Sequence, residues 1–338
     1  MKKIILSALV SASLLGASEV TSDVTQQESV NDAPKKSILT FNVGAWYMNW
    51  NQTSTSSEML KNSDDALDMT YNIDSSIAYV LSLKFDYAFL SGSVEYSSDT
   101  SSGGKDEESG IENLDVGLAM IDGIPYLNAE VRYTKSNFQG EMNGKKKSGG
   151  DYASGNFESK LEIFDLIIYP FNKYVGVGYR TYNYEFPQDA YITADSDGHS
   201  VLANLLDLAY EGDFYTIVVD NKKMVDVAKE YNGVVYSFIA GMGKLTPTAG
   251  TNAQISSSDA AYINKYLGES DATFYDLLLG YSYKSAMDNG FAYGLTAGYR
   301  YNKIEADASE KVNNNGYSMR TKFDTEFYGP FVNIAMSF

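Results

Sequence analysis

The residues Tyr328, Pro330, Val332, Ile334, Met336 and Phe338 alternate with Gly329, Phe331, Asn333, Ala335 and Ser337. Successive side chains of a β-strand point to opposite faces, so one face of this segment is apolar throughout and the other is mostly small or polar. That division is expected of a strand with lipid on one side and a polar lumen on the other. An aromatic final residue is poorly suited to a water-soluble fold, where chain ends fray and an exposed ring gains little. At a membrane interface the ring of Phe338 joins an aromatic girdle.

Near the other end, Lys2 and Lys3 precede an apolar stretch from Ile4 to Leu15 and the small residues Gly16, Ala17 and Ser18. This is the order of an export signal with its cleavage zone, and the mature chain is expected to begin near Ser18 or Glu19. The apolar stretch is too short to cross a bilayer as a helix, and no later window approaches about 18 apolar residues free of charge. There is no cysteine, which removes both lipid attachment through a thiol and a disulfide framework. A closed barrel, in which neighbouring strands pair every backbone group, is the remaining way to hold a large exported chain together.

Composition agrees. The chain carries 28 Tyr and 28 Gly against 6 Pro and 2 Trp, while its mean hydropathy is only -0.27. Aromatic belts and a polar lumen produce that combination. The formal net charge is -18, which excludes non-specific nucleic-acid binding and matches an anionic lipid surface only if divalent cations bridge the two.

After a polar, patternless segment over 19–37, read as a flexible periplasmic tail, alternation begins at once. Leu39, Phe41, Val43, Ala45 and Tyr47 point one way; the same pattern recurs at Ile77 to Phe85, Leu114 to Met120, Leu127 to Tyr133, Val175 to Tyr179, Val234 to Ala240, Tyr275 to Tyr283 and Phe291 to Tyr301. Connectors alternate too: tight turns near Asp86, Asp122 to Pro125, Pro170 to Lys173 and Ala286 to Asn289 contrast with longer links near 51–68, 98–110, 140–156, 245–271 and 306–316. Short periplasmic turns facing long extracellular loops mark a transmembrane barrel. Between 187 and 232 parity demands one more downward strand, and Phe214 to Asp220 is its only candidate. The runs Val201 to Tyr210 and Met224 to Tyr231 have helix-like composition, the first suiting a loop helix and the second a periplasmic one. The expectation is an all-β, antiparallel transmembrane β-barrel of twelve strands over 38–338, with ten or fourteen as alternatives, preceded by a signal peptide over 1–18.

The Lys-Lys signal segment, the repeated amphipathic strands, the ends Gly178 to Arg180 and Gly298 to Tyr301, and above all the strand Phe327 to Phe338 together resemble a Gram-negative outer-membrane β-barrel protein. The resemblance implies outer-membrane localisation, contact with outer-membrane lipid and lipopolysaccharide, and recognition by the barrel assembly machinery. Tyr328, Val332, Ile334, Met336 and Phe338 match the final-strand signal. The resemblance is equally compatible with porins, enzymes and adhesins.

The residues offer little catalytic chemistry. The single histidine, His199, sits in the longest surface link beside Asp195, Ser196, Asp197 and Gly198, with no rigid partner to orient it as a triad requires. The acidic residues there suggest a calcium loop, yet Thr193 and Asn204 occupy its terminal ligand positions. Gly241, Gly243, Lys244 and Thr246 lack phosphate-loop spacing and fall at the end of a strand, where alternating small lumen residues account for the two glycines. Asp106 to Glu108 and Lys145 to Lys147 read as solvated loop tips. No catalytic residue, metal or cofactor is expected.

Alternation instead turns ten charges inward: Lys84, Glu95, Asp115, Glu130, Arg132, Asp165, Arg180, Asp276, Lys284 and Arg300, five of each sign. Charges at membrane depth persist only where they line water or pair with one another. Two functions follow. A channel for passive diffusion of small hydrophilic solutes, with a weak cation preference from its acidic mouth, is the first expectation. A structural or surface-interaction protein, its lumen filled by the ion pairs and by Trp46, Met48, Tyr182 and Phe274, is the second.

Overall fold

The computed structural model of the protein describes residues 38–57, 66–87, 89–99, 110–124, 127–146, 151–186, 188–192, 208–228, 230–250, 257–258, 261, 264–265, 267–287, 291–310 and 320–338. The expected signal peptide and tail, His199 with its acidic neighbours, and Asp106 to Glu108 lie outside the described residues.

The alternating segments form β1 (Ile38–Ser57), β2 (Ala66–Tyr87), β3 (Leu90–Asp99), β4 (Gly110–Ile124), β5 (Leu127–Lys146) and β6 (Asp151–Tyr169). They continue as β7 (Val175–Phe186), β8 (Gln188–Ile192), β9 (Leu208–Asp220), a short helix α1 (Lys222–Val227), β10 (Tyr231–Ala249), β11 (Ser270–Ala286), β12 (Ala292–Glu310) and β13 (Arg320–Ser337). All pairings are antiparallel, and β13 returns to β1 with Val43 opposite Ile334 and Thr40 opposite Ser337. Phe338 completes this seam, its N–H donating to the Leu39 carbonyl at 2.9 Å. β7 and β8 both pair with β6 and occupy one position in the wall. Pro187 separates them in sequence, and a proline has no N–H to continue a ladder. The result is a closed barrel of twelve wall strands.

Several strands run further than the apolar pattern predicts. β1 reaches Ser57, β10 reaches Ala249 and β12 reaches Glu310. Their outer ends, such as Gln52, Thr53, Ser54 and Thr55, are polar on both faces, so pairing continues above the lipid with no alternation to announce it. The uncertain downward strand spans 208–220 rather than 214–220, and the end of the helix-like run Val201 to Tyr210 is strand. The second helix-like run gives a helix earlier and shorter than expected, at Lys222–Val227.

β2 changes partner along its length. Its lower part, Ala78 to Tyr87, pairs with β3, whereas Leu67 to Asn72 pairs with β5. The switch coincides with a register shift against β1 between Met48 and Trp50, and a bulge of this kind bends a strand and raises its local twist. The barrel thus closes over the short β3–β4 hairpin.

On the outside, Leu39, Phe41, Val43, Leu81, Leu83, Leu118, Leu166, Leu279, Leu295, Val332, Ile334 and Met336 are exposed. Tyr47, Tyr79, Tyr179 and Tyr215 edge this apolar band above, and Tyr87, Phe171, Tyr283, Tyr293 and Phe338 below. Burying so wide a belt needs a bilayer rather than water.

Candidate functional site: the filled lumen

The inward faces of the strands divide the lumen into an aromatic upper layer and a charged lower one. In the upper layer Trp50 stacks between Phe138 and Phe157, with ring centroids 5.4 and 5.3 Å away. Phe323 meets Tyr184 at 5.6 Å and Tyr210 at 4.6 Å, and Phe214 meets Phe274 edge-on at 5.2 Å. The Tyr184 hydroxyl donates to Gln52 Oε1 at 2.6 Å. Phe274 fits because Gly241 opposite it has no side chain; a Cβ there would overlap the ring. Trp46, Met48, Tyr182 and Phe274 lie in this packed interior. Trp50 is 2% exposed and Phe214 is 0% exposed, so their rings are packed against other side chains.

Below this layer the charges span the barrel. Arg180 grips Asp165 on the neighbouring strand through Nε and Nη2 at 2.6 and 2.8 Å, the two-pronged geometry that suits a guanidinium and a carboxylate. Its guanidinium also covers the Phe274 ring at 4.2 Å. Arg132 joins Glu130 at 2.5 Å and Asp220, at the foot of β9, at 2.7 Å. Arg300 crosses from β12 to Glu95 on β3 at 2.8 Å. Asp115 sits directly opposite Glu95 in the β3–β4 register.

Helix α1 closes the lower end. The Asp220 carboxylate accepts the Lys222 N–H at 2.6 Å and starts the helix. Asp226 pairs with Lys84 of β2 at 2.6 Å and with Lys222 at 3.0 Å. Lys223 reaches Glu130 of β5 at 3.1 Å and lies 3.3 Å from the Tyr169 ring centre. Lys284 of β11 donates to the Val225 and Asp226 carbonyls at 2.6 and 2.8 Å, where the helix presents the negative end of its dipole. Burial alone would raise the Asp226 carboxyl, but Lys222, Lys84 and Lys284 around it hold it well below the ordinary carboxylate range.

Nine of the ten sequence-predicted lumen charges thus take part in ion pairs or in anchoring α1, and Asp115 stands apart from them. Sequence reasoning missed Asp220, Lys222, Lys223 and Asp226, which add two charges of each sign to the five of each sign already named. A signal was present: the connector after β9 is much longer than the other periplasmic turns and is charged. The terminal-strand residues Val332, Ile334, Met336 and Phe338 are on the lipid face, and the Tyr328 hydroxyl lies 3.5 Å from Asn51 Nδ2. Gly241, Gly243, Lys244 and Thr246 lie within β10, with Lys244 turned outward and paired with Glu269. Among the described residues, no three His, Cys, Asp or Glu side chains gather as a metal site would require.

No protein-family model matches the chain, and no curated protein matches it. Solved structures that are similar include the outer membrane protease OmpT from Escherichia coli (7% identity, 93% of this chain and 100% of that one, TM-score 0.29). The toluene transporter TodX of P. putida (8%, 90% and 91%, 0.30) and LpxR from Salmonella typhimurium (10%, 89% and 99%, 0.25) also match. The fold is a closed antiparallel barrel of twelve wall strands with an apolar belt between aromatic girdles, the architecture of a transmembrane β-barrel.

Proposed function

We propose that this outer-membrane barrel is closed to through-flow at rest, and serves as a membrane peg carrying its extracellular crown, the second of the two functions expected from sequence. The observation that carries this reading is the filling of the lumen at two heights, by the aromatic layer around Trp50 and by α1. The ion pairs of the lower layer, Arg180 with Asp165, Arg132 with Asp220 and Arg300 with Glu95, support it further, because these charges are satisfied by groups of the barrel itself. The crown is continuous with the wall: Asn264, beyond β10, takes the Ala249 N–H at 2.7 Å and donates to its carbonyl at 3.1 Å, tying the link to the strand end.

Planar-bilayer recordings of the refolded protein test the reading against passive diffusion. The expected trace has no stable open level at moderate voltage. Steady ohmic steps from the unaltered protein would return the assignment to a diffusion channel, and a modest cation preference fading with salt would then follow from the acidic mouth.

A further inference from the structure

Two cavities of about 160 and 140 Å³ lie inside the lumen, and Asp115, Arg132, Asp276 and Arg300 line both. A water needs roughly 10–15 Å³ by the same kind of measure, so each has room for several non-hydrogen atoms. Most of the charged groups here are saturated: Arg180 is committed to Asp165, and Arg132 to Glu130 and Asp220. Three groups are not. The Asp115 carboxylate has no ion pair or hydrogen bond among the described residues. Among the described residues Asp276 has only the Arg180 guanidinium, at 3.8 Å, and its side chain is 41% open. Arg300 spends Nη1 on Glu95, while its buried Nε–H has no acceptor. Trp46, Trp50, Phe138, Tyr182, Tyr184 and Phe327 line the upper cavity beside them.

We propose that this chamber is a binding site for a small zwitterion of amino-acid size, its ammonium group drawn to Asp115 and Asp276 and its carboxylate to the Nε–H of Arg300. A bare cation would serve the carboxylates but leave the Arg300 donor buried and unmet, and a bare anion would do the reverse. Leaving a buried polar group unmet is costly. The aromatic faces favour the ammonium end. Entry is from the α1 side, because polar contacts hold α1 whereas tight aromatic packing seals the layer above. The assignment is independent of whether the barrel conducts.

Trp46 and Trp50 are the chain's two tryptophans and both line the upper cavity, so intrinsic fluorescence of the refolded full chain reads occupancy directly. Alanine, ethylamine and propionate are titrated into the unaltered protein and into Lys84→Met, which loosens α1 and removes access as a limit. A saturable change is expected with alanine, with ethylamine and propionate at least about tenfold weaker, the effect of losing one charge-assisted contact. Asp115→Asn and Asp276→Asn should each weaken alanine by about tenfold. No saturable response to alanine in either protein overturns the proposal, as do folded Asn variants that bind alanine unchanged. Ethylamine binding as tightly as alanine also overturns it, because Arg300 would then play no part. Should an Asn variant fail to fold, the three-ligand comparison on the unaltered protein decides.

Discussion

Arg180 and Asp165 face each other across β6 and β7 with side chains 3% and 4% exposed, and this pair shows why a filled lumen resists single changes. Taking both charges out of water costs nearly as much as their attraction returns, so the intact pair adds little net stability. Removing one partner strands the other. Arg180→Ala is expected to cost about 3–5 kcal/mol, read as a lower midpoint for denaturant unfolding in lipid vesicles. Replacing both residues with apolar ones of similar volume should recover most of that loss. Equal losses in the single and double variants would show that the pair is not coupled.

Among the elements, α1 is the most densely charged, with Lys222, Lys223 and Asp226 in six residues. Six residues are too few to form an isolated helix in water, and α1 is held by Lys84, Glu130 and Lys284 from three different strands, with Val225 as its buried apolar anchor. Its stability should follow the titration of Asp226, whose folded carboxyl lies below the ordinary value of 3.8. The unfolded helix therefore takes up the proton first on acidification, so docking is at full strength above about pH 4 and weakens as pH falls further. Hydrogen exchange of the α1 amides should show protection from pH 5 to 8 that declines below about pH 4. Asp226→Asn should abolish the protection at neutral pH. Protection unaffected by either change would mean that packing alone holds the helix.

For the whole molecule, closure depends on the seam between β1 and β13. Leu39 and Phe338 exchange both backbone hydrogen bonds there, at 2.9 and 3.3 Å, and the Phe338 ring meets Phe291 edge-on at 5.1 Å. Phe338 is therefore the last pairing of the wall, a member of the lower girdle and, by resemblance, the end of the assembly signal. Deleting it, or making Phe338→Asp, should lower the outer-membrane yield and leave periplasmic aggregate or degradation product. The surviving protein should lose the shift in electrophoretic mobility between boiled and unboiled samples that a closed barrel gives. Unchanged membrane levels would reduce Phe338 to ordinary strand composition.

Period-two alternation is a local property, and it was enough to specify the barrel, its lipid face and the inward direction of charges such as Arg180 and Arg300, because a one-residue slip in register would turn an entire apolar set toward the lumen. Where successive residues are all polar, as from Gln52 to Thr55, the pattern vanishes and the strand ends could not be read. Partners across the lumen were equally invisible: Arg300 and Glu95 are 205 residues apart, and only the closed wall brings β12 opposite β3. The inward fold of α1 followed the same rule, since its ion-pair partners lie on β2 and β5. Whether inward charges line water or fill space depends on the diameter of the lumen and on what crosses it, and both arise only when twelve strands close on one another.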